Sequence, residues 1–132
     1  MARTPTRRAA LMSIRPPFAS AILDGSKTVE FRKRPLATDV DRVVIYTTAP
    51  VMAVVGEFRI ADQVVSTPTD LWRRYSAVAG IERAAFFEYF DGAREGVGIV
   101  IDGVTEYETP QPLSEFDPGS RPPQSFRYLL DA

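Results

Sequence analysis

The apolar residues of this chain come in runs no longer than a β-strand, and most of these runs are closed by proline or glycine. That punctuation constrains the fold most, because it leaves no room for long core helices or a bilayer-spanning helix. Residues 11–15 read as a short strand broken by Pro16-Pro17. Proline fits the first turn of a helix, where its missing N–H costs nothing. Phe18, Ala21 and Ile22 then follow at helical spacing, and Gly25 closes the helix. From Thr28 to Arg34 the period switches to two, with Val29 and Phe31 on one side and Thr28, Glu30, Arg32 and Arg34 on the other. Residues 42–48 are apolar on both faces, as in a central strand. Residues 51–60 form another strand, in which Gly56 marks a bulge or a sharp coil.

Thr67-Pro68-Thr69-Asp70 is a helix start: a threonine cap, proline at the first position and an acid three residues after the cap. Leu71, Tyr75 and Val78 supply a buried stripe up to Gly80, and a second helix over residues 82–90 turns Phe86 and Phe90 inward. Trp72 reads as packing between the two helices, and Arg73-Arg74 as a solvated face. Strands over 97–104 and 126–130 complete the chain. Six or so short strands, one early helix and an inserted helical pair predict an α+β domain. A small, mostly antiparallel β-barrel closes that many short strands without bare edges. The expected division is a disordered basic tail over residues 1–10 and one folded domain over 11–132.

Composition matters here for two zeros. The 132 residues include no cysteine and no histidine, which excludes disulfides, thiolate nucleophiles, Ser-His-Asp triads, zinc hydrolases and two-histidine ribonucleases. Any chemistry must rest on Lys, Arg, Asp, Glu, Tyr, Ser or Thr, and nothing in the pattern asks for a metal or a cofactor. Charge is uneven: the first 34 residues carry eight basic side chains against two acidic ones, and the remaining 98 carry eight against fifteen. A basic end on a chain of net charge −1 marks a local surface for phosphate, not a bulk polyanion binder. The N-terminus lacks the apolar run of a signal peptide, so the expected location is cytoplasmic, away from any membrane.

Gly25-Ser26-Lys27-Thr28-Val29-Glu30-Phe31-Arg32 fits the pattern G-x-K-x-x-E-x-R. With Ser13-Ile14-Arg15-Pro16 before it and Pro122-Pro123-Gln124-Ser125-Phe126-Arg127-Tyr128-Leu129 at the end, the chain resembles the ASCH (activating-signal-cointegrator homology) domains of the PUA-like superfamily, over about residues 11–129. The resemblance implies a PUA-like barrel whose early helix and motif line a cleft, with a role in RNA binding, RNA more than DNA, or in holding a nucleotide-like small molecule. Some small members of the family are similar to amidohydrolases acting on an acetylated cytidine, and ribonuclease activity belongs to others. In the amidohydrolase branch the third residue after the lysine is a catalytic threonine. Here that position is Glu30, and no carboxylate stands in residues 76–80 to fill that branch's second catalytic place.

On this reading Ser13, Arg15, Lys27, Glu30, Arg32 and Tyr46 are the candidate ligand-binding residues. The recognised ligand is an unpaired or modified nucleotide. Arginine offers a planar fork to phosphate or a base edge, and lysine a point charge. Glu30 either accepts from an exocyclic amine or keeps the cations oriented, and Tyr46 is the expected stacking platform. If the protein is a hydrolase of an acylated nucleoside or of RNA, Lys27 and Glu30 are the candidate catalytic pair. The plainer alternative makes Glu30 and Arg32 a surface ion pair worth less than about 1 kcal/mol. Strand parity puts Lys27 on the side of Val29 and Phe31, so joining Arg32 requires Lys27 to belong to the turn after Gly25. Arg127 reads as either a strand-face charge or a further cleft cation.

Overall fold

The computed structural model describes residues 7–119 and 121–129. Residues 1–6 of the expected tail, and Leu130 of the expected last strand, lie outside them. Six strands form one sheet: β1 (Arg8–Ile14), β2 (Val29–Arg32), β3 (Val40–Thr47), β4 (Ala53–Ser66), β5 (Gly96–Gln111) and β6 (Phe126–Tyr128), in the order β2-β5-β4-β3-β1-β6. Neighbours run antiparallel except β1 with β3. The helices are α1 (Pro16–Asp24), α2 (Pro68–Tyr75) and α3 (Arg83–Tyr89), and a 3-10 turn over Ser76–Val78 follows α2. The fold is the expected α+β arrangement, with the sheet curled into a half-barrel. Its seam lies between β2 and β6, where no backbone ladder joins the two strands among the described residues. No described helix is long and apolar enough to cross a membrane.

Local chemistry explains the elements. Pro16 and Pro17 open α1, and Gly25, at φ 87°, closes it. The Thr67 hydroxyl accepts from the Asp70 amide at 3.1 Å, the cap the sequence predicts for α2. At Gly56 the β4–β5 register shifts, and a Cβ there would stand 2.5 Å from the Thr105 carbonyl and 2.9 Å from Leu23. Only glycine lets the sheet coil that tightly around α1.

Three strands extend beyond expectation. The first strand begins at Arg8, three residues early, because Arg8 is tied down: its guanidinium donates to both Asp39 oxygens at 2.5 and 2.8 Å and lies 4.2 Å above the Tyr128 ring. Strands β4 and β5 run well past their expected ends. They pair with each other from Val54 to Ser66, so the ladder holds residues whose own pattern is weak.

Three apolar clusters fill the domain. Inside the curl, Met12, Ile14, Val43, Ile45, Phe58, Val97 and Ile99 meet Ala19 and Ile22 of α1. Beyond β2, Val29 and Phe31 meet Leu71, Phe86 and Phe90 of the helical pair. On the outer face, Leu11, Val44, Tyr46 and Val54 lie under Tyr107, Leu113 and Phe116. Each fully buried Leu, Ile or Phe contributes about 1.5–3 kcal/mol.

Candidate functional site

β2 is the strand on which the site depends. Its pairing with β5 sets Glu30 opposite Ile99 and Arg32 opposite Val97, so both polar side chains share the inward face with that core. Val29 and Phe31 take the other face, against the helical pair. A strand buried on both sides cannot carry a surface ion pair: the Glu30 and Arg32 side chains are 8% and 12% exposed. Lys27 precedes the strand. Its amide donates to the Ala21 carbonyl at 3.0 Å, and the Thr28 amide donates to the Val78 carbonyl at 3.0 Å. This turn frees Lys27 from strand parity, as the motif requires.

The three charges form one buried group. Arg32 Nη2 donates to Glu30 Oε2 at 2.8 Å, and Lys27 Nζ stands 3.5 Å from Glu30 Oε1. Lys27 Nζ also donates to the Ala79 carbonyl at 2.5 Å and lies 5.5 and 5.3 Å from the Phe18 and Phe31 rings. Gly80, at φ 61°, makes this possible: a Cβ there would stand 2.7–2.9 Å from the Lys27 side chain. Burial pushes the Lys27 ammonium below its ordinary pKa, although the neighbouring Glu30 carboxylate pulls the other way. Arg32 ties the seam as well. Its Nη2 donates to the Ser13 carbonyl at 3.0 Å and its Nη1 to the Ser125 hydroxyl at 3.1 Å. Arg32 Nε is buried without a partner among the described residues, an arrangement that ordinarily costs about 1–3 kcal/mol.

Above this group opens a cleft of about 560 Å³. Arg15 and Phe18, from the start of α1, form one wall, and Ile81, Ala85, Glu88 and Tyr89 form the other. Lys33, just past β2, stands at the rim with Nζ 5.0 Å from the Tyr89 ring centre. Arg15 is exposed and has no side-chain partner among the described residues. Tyr89 is 39% exposed and packs edge-on against Phe90 at 4.8 Å; burial raises its phenol pKa. The lining is thus four cations and two carboxylates among aromatic rings, a lining suited to a flat, anionic ligand. No three Asp or Glu side chains among the described residues are grouped to hold a metal ion.

Of the residues singled out from sequence, Arg15, Lys27, Glu30 and Arg32 converge on this cleft. Ser13 reaches it through its backbone; its hydroxyl turns away and donates to the Pro123 carbonyl at 2.6 Å. Tyr46 does not reach it. At 4% exposure it belongs to the outer-face core beside Leu11, Val44 and Val54, so no base can stack on it. The alternation of β3 already carried that signal: Val43 and Ile45 face inward, which sends Val44 and Tyr46 outward. The missed aromatic is Tyr89, one turn from Phe86 on α3. A helical-wheel reading that stops at the Phe86 and Phe90 stripe leaves it on the flank, where the cleft begins. Glu88, an exposed residue of α3, also lines the wall. Arg127 pairs with Asp117 at 2.6 Å and is not among the lining residues. Trp72 packs on Phe86 and Phe87, with ring centres at 5.0 and 6.1 Å.

The chain is similar in sequence and fold to known proteins. The chain is 33% identical over 135 residues to a Zymomonas mobilis protein named ASCH domain-containing ribonuclease, covering 98% of this chain and 89% of that one. The crystal structure of the Z. mobilis ASCH protein superposes with a TM-score of 0.84 at 34% identity, covering 92% of this chain and 87% of that one. A serine-to-alanine mutant of it gives 0.86 at 33%, with coverages of 96% and 92%. A further similarity, 30% over 125 residues, is to the large ribosomal subunit protein uL22 of Ureaplasma parvum, where this chain spans only 40% of the relative. Residues 12–116 match the ASCH domain, and with a relative one-third identical along nearly its full length, the chain belongs to the ASCH domain family.

Proposed function

We propose that this domain binds single-stranded RNA by seating one unpaired or modified nucleotide in the cleft between α1, β2 and α3. The observation that carries the reading is the cleft itself. Lys27 and Arg32 are fixed at its floor, Phe18 and Tyr89 stand in its walls, and Arg15 and Lys33 lie at its edge. A base stacks on an aromatic side chain for about 1–3 kcal/mol, and exposed cations take the neighbouring phosphates. The family and the ribonuclease relative favour RNA over DNA.

A fluorescence titration of a labelled single-stranded RNA at two salt concentrations tests this. Residues 35–132 carry a net −7, so contacts beyond the cleft are few and affinity is modest. With two or three phosphates engaged, log K falls against log salt with a slope of about −1.4 to −2. No binding at low salt, or a slope of zero, removes the proposal.

A second reading is RNA cleavage, favoured by the relative named a ribonuclease. Lys27, its pKa lowered by burial, is then the candidate base for the ribose 2′-hydroxyl, with Glu30 holding it in place. Cleavage of a ribo-oligonucleotide that stops with 2′-deoxy substitution, and stops in Lys27→Met, distinguishes this from binding alone.

A further inference from the structure

Resting on the proposal that a nucleotide enters the cleft, we infer that the floor selects bases with a keto oxygen over bases with an amino group at the same position. Glu30, the only acceptor side chain among Lys27, Glu30 and Arg32, already has a cation on each oxygen: Oε1 faces Lys27 Nζ and Oε2 accepts from Arg32, so any further donor must share an oxygen with a cation. The donors are not exhausted. Arg32 spends its two Nη2 hydrogens on Glu30 and the Ser13 carbonyl and one Nη1 hydrogen on Ser125. The second Nη1 hydrogen is left over; Nε also has no partner among the described residues, but it is buried behind the guanidinium and is not counted toward the ligand. Lys27 spends one hydrogen on the Ala79 carbonyl and directs a second at Glu30, which leaves a third.

Two cations around one carboxylate also leave the floor net positive. A ligand edge that brings acceptors takes up these donors, whereas an exocyclic amine must compete with Lys27 and Arg32 for the Glu30 oxygens. Hypoxanthine and guanine present O6 beside N7, and uracil presents O4; adenine and cytosine carry an amino group at the corresponding position. Glu30 therefore acts as a positioning residue for the two cations and is not the group that reads the base.

Two isosteric pairs of ligands test this on the wild-type protein: inosine against adenosine 5′-monophosphate, and uridine against cytidine 5′-monophosphate. Within each pair the keto or amino group changes together with the adjacent ring nitrogen, which is N–H in the keto member and a bare acceptor in the amino member. Titration followed by NMR or calorimetry should show the keto member bound about tenfold more tightly in both pairs. In Arg32→Gln, checked for folding by its thermal melt, the preference should shrink to under threefold. Equal affinities within a pair, or tighter binding of the amino member, overturn the inference and leave RNA binding standing. If RNA binds but none of the four nucleotides does, the base is not read in the cleft and the inference is likewise overturned. If neither RNA nor any nucleotide binds, the proposed function itself fails.

Discussion

Replacing Arg32 with alanine removes a side chain that is 12% exposed and holds three partners: Glu30 at 2.8 Å, the Ser13 carbonyl at 3.0 Å and the Ser125 hydroxyl at 3.1 Å. An exposed ion pair would cost less than about 1 kcal/mol to break. A buried pair that leaves one charge stranded costs about 3–5 kcal/mol. Arg32→Ala falls between these limits, because Lys27 stays 3.5 Å from Glu30 and keeps the carboxylate compensated. Two backbone or hydroxyl hydrogen bonds, at about 1 kcal/mol each, go with it, and the expected loss is about 2–3 kcal/mol. Glu30→Ala is the harsher change, since it leaves Lys27 and Arg32 facing each other in the interior without a counter-charge; its cost is about 3–5 kcal/mol. The double variant should cost less than the sum of the two, because the second substitution relieves part of the repulsion left by the first. Urea unfolding of the three variants gives these values directly. A loss below 1 kcal/mol for Arg32→Ala, or a larger loss for Arg32→Ala than for Glu30→Ala, would refute the buried triad.

Three further outcomes follow from the same cleft. Gly80→Ala forces a Cβ into the Lys27 side chain at a positive φ of 61°, so it should lose about 1–3 kcal/mol in thermal melts and weaken ligand binding together with stability. Lys27 has a lowered pKa when folded, so between that value and its ordinary 10.5 the unfolded chain binds more protons. Stability measured against Lys27→Met should therefore rise with pH as 10.5 is approached, and a fall would place Lys27 in a different environment. Tyr89→Ala, at a 39% exposed position, should change stability by less than about 1 kcal/mol while weakening RNA binding by about 1–3 kcal/mol in a fluorescence titration.

Local patterning makes much of the fold legible in the sequence. The proline pair before α1, the threonine cap of α2 and the glycine bulge in β4 are all local signals, and each held. What failed was non-local. The strand start at Arg8 depends on Asp39 and Tyr128, far along the chain, and the full length of β4 and β5 depends on each strand having the other as partner. The site divides in the same way. Lys27, Glu30 and Arg32 share one motif, so their convergence was readable; that both faces of β2 are covered depends on α1 and the inserted helices. Tyr46 went wrong because an aromatic residue on a central strand was assigned to a surface that another segment covers, the one carrying Leu113 and Phe116. Tyr89 was missed because it lies on the edge of a short helix whose neighbours have an evident core role.

Photo-crosslinking tests most directly whether RNA lies in this cleft. A single-stranded oligonucleotide carrying 4-thiouridine is irradiated with the protein, and the attached peptides are identified by mass spectrometry. Crosslinks should fall on the peptides carrying Phe18 and Tyr89, which wall the cleft, and should weaken in Arg32→Ala. Crosslinks confined to the outer face around Tyr107 and Phe116, unchanged in that variant, would contradict it.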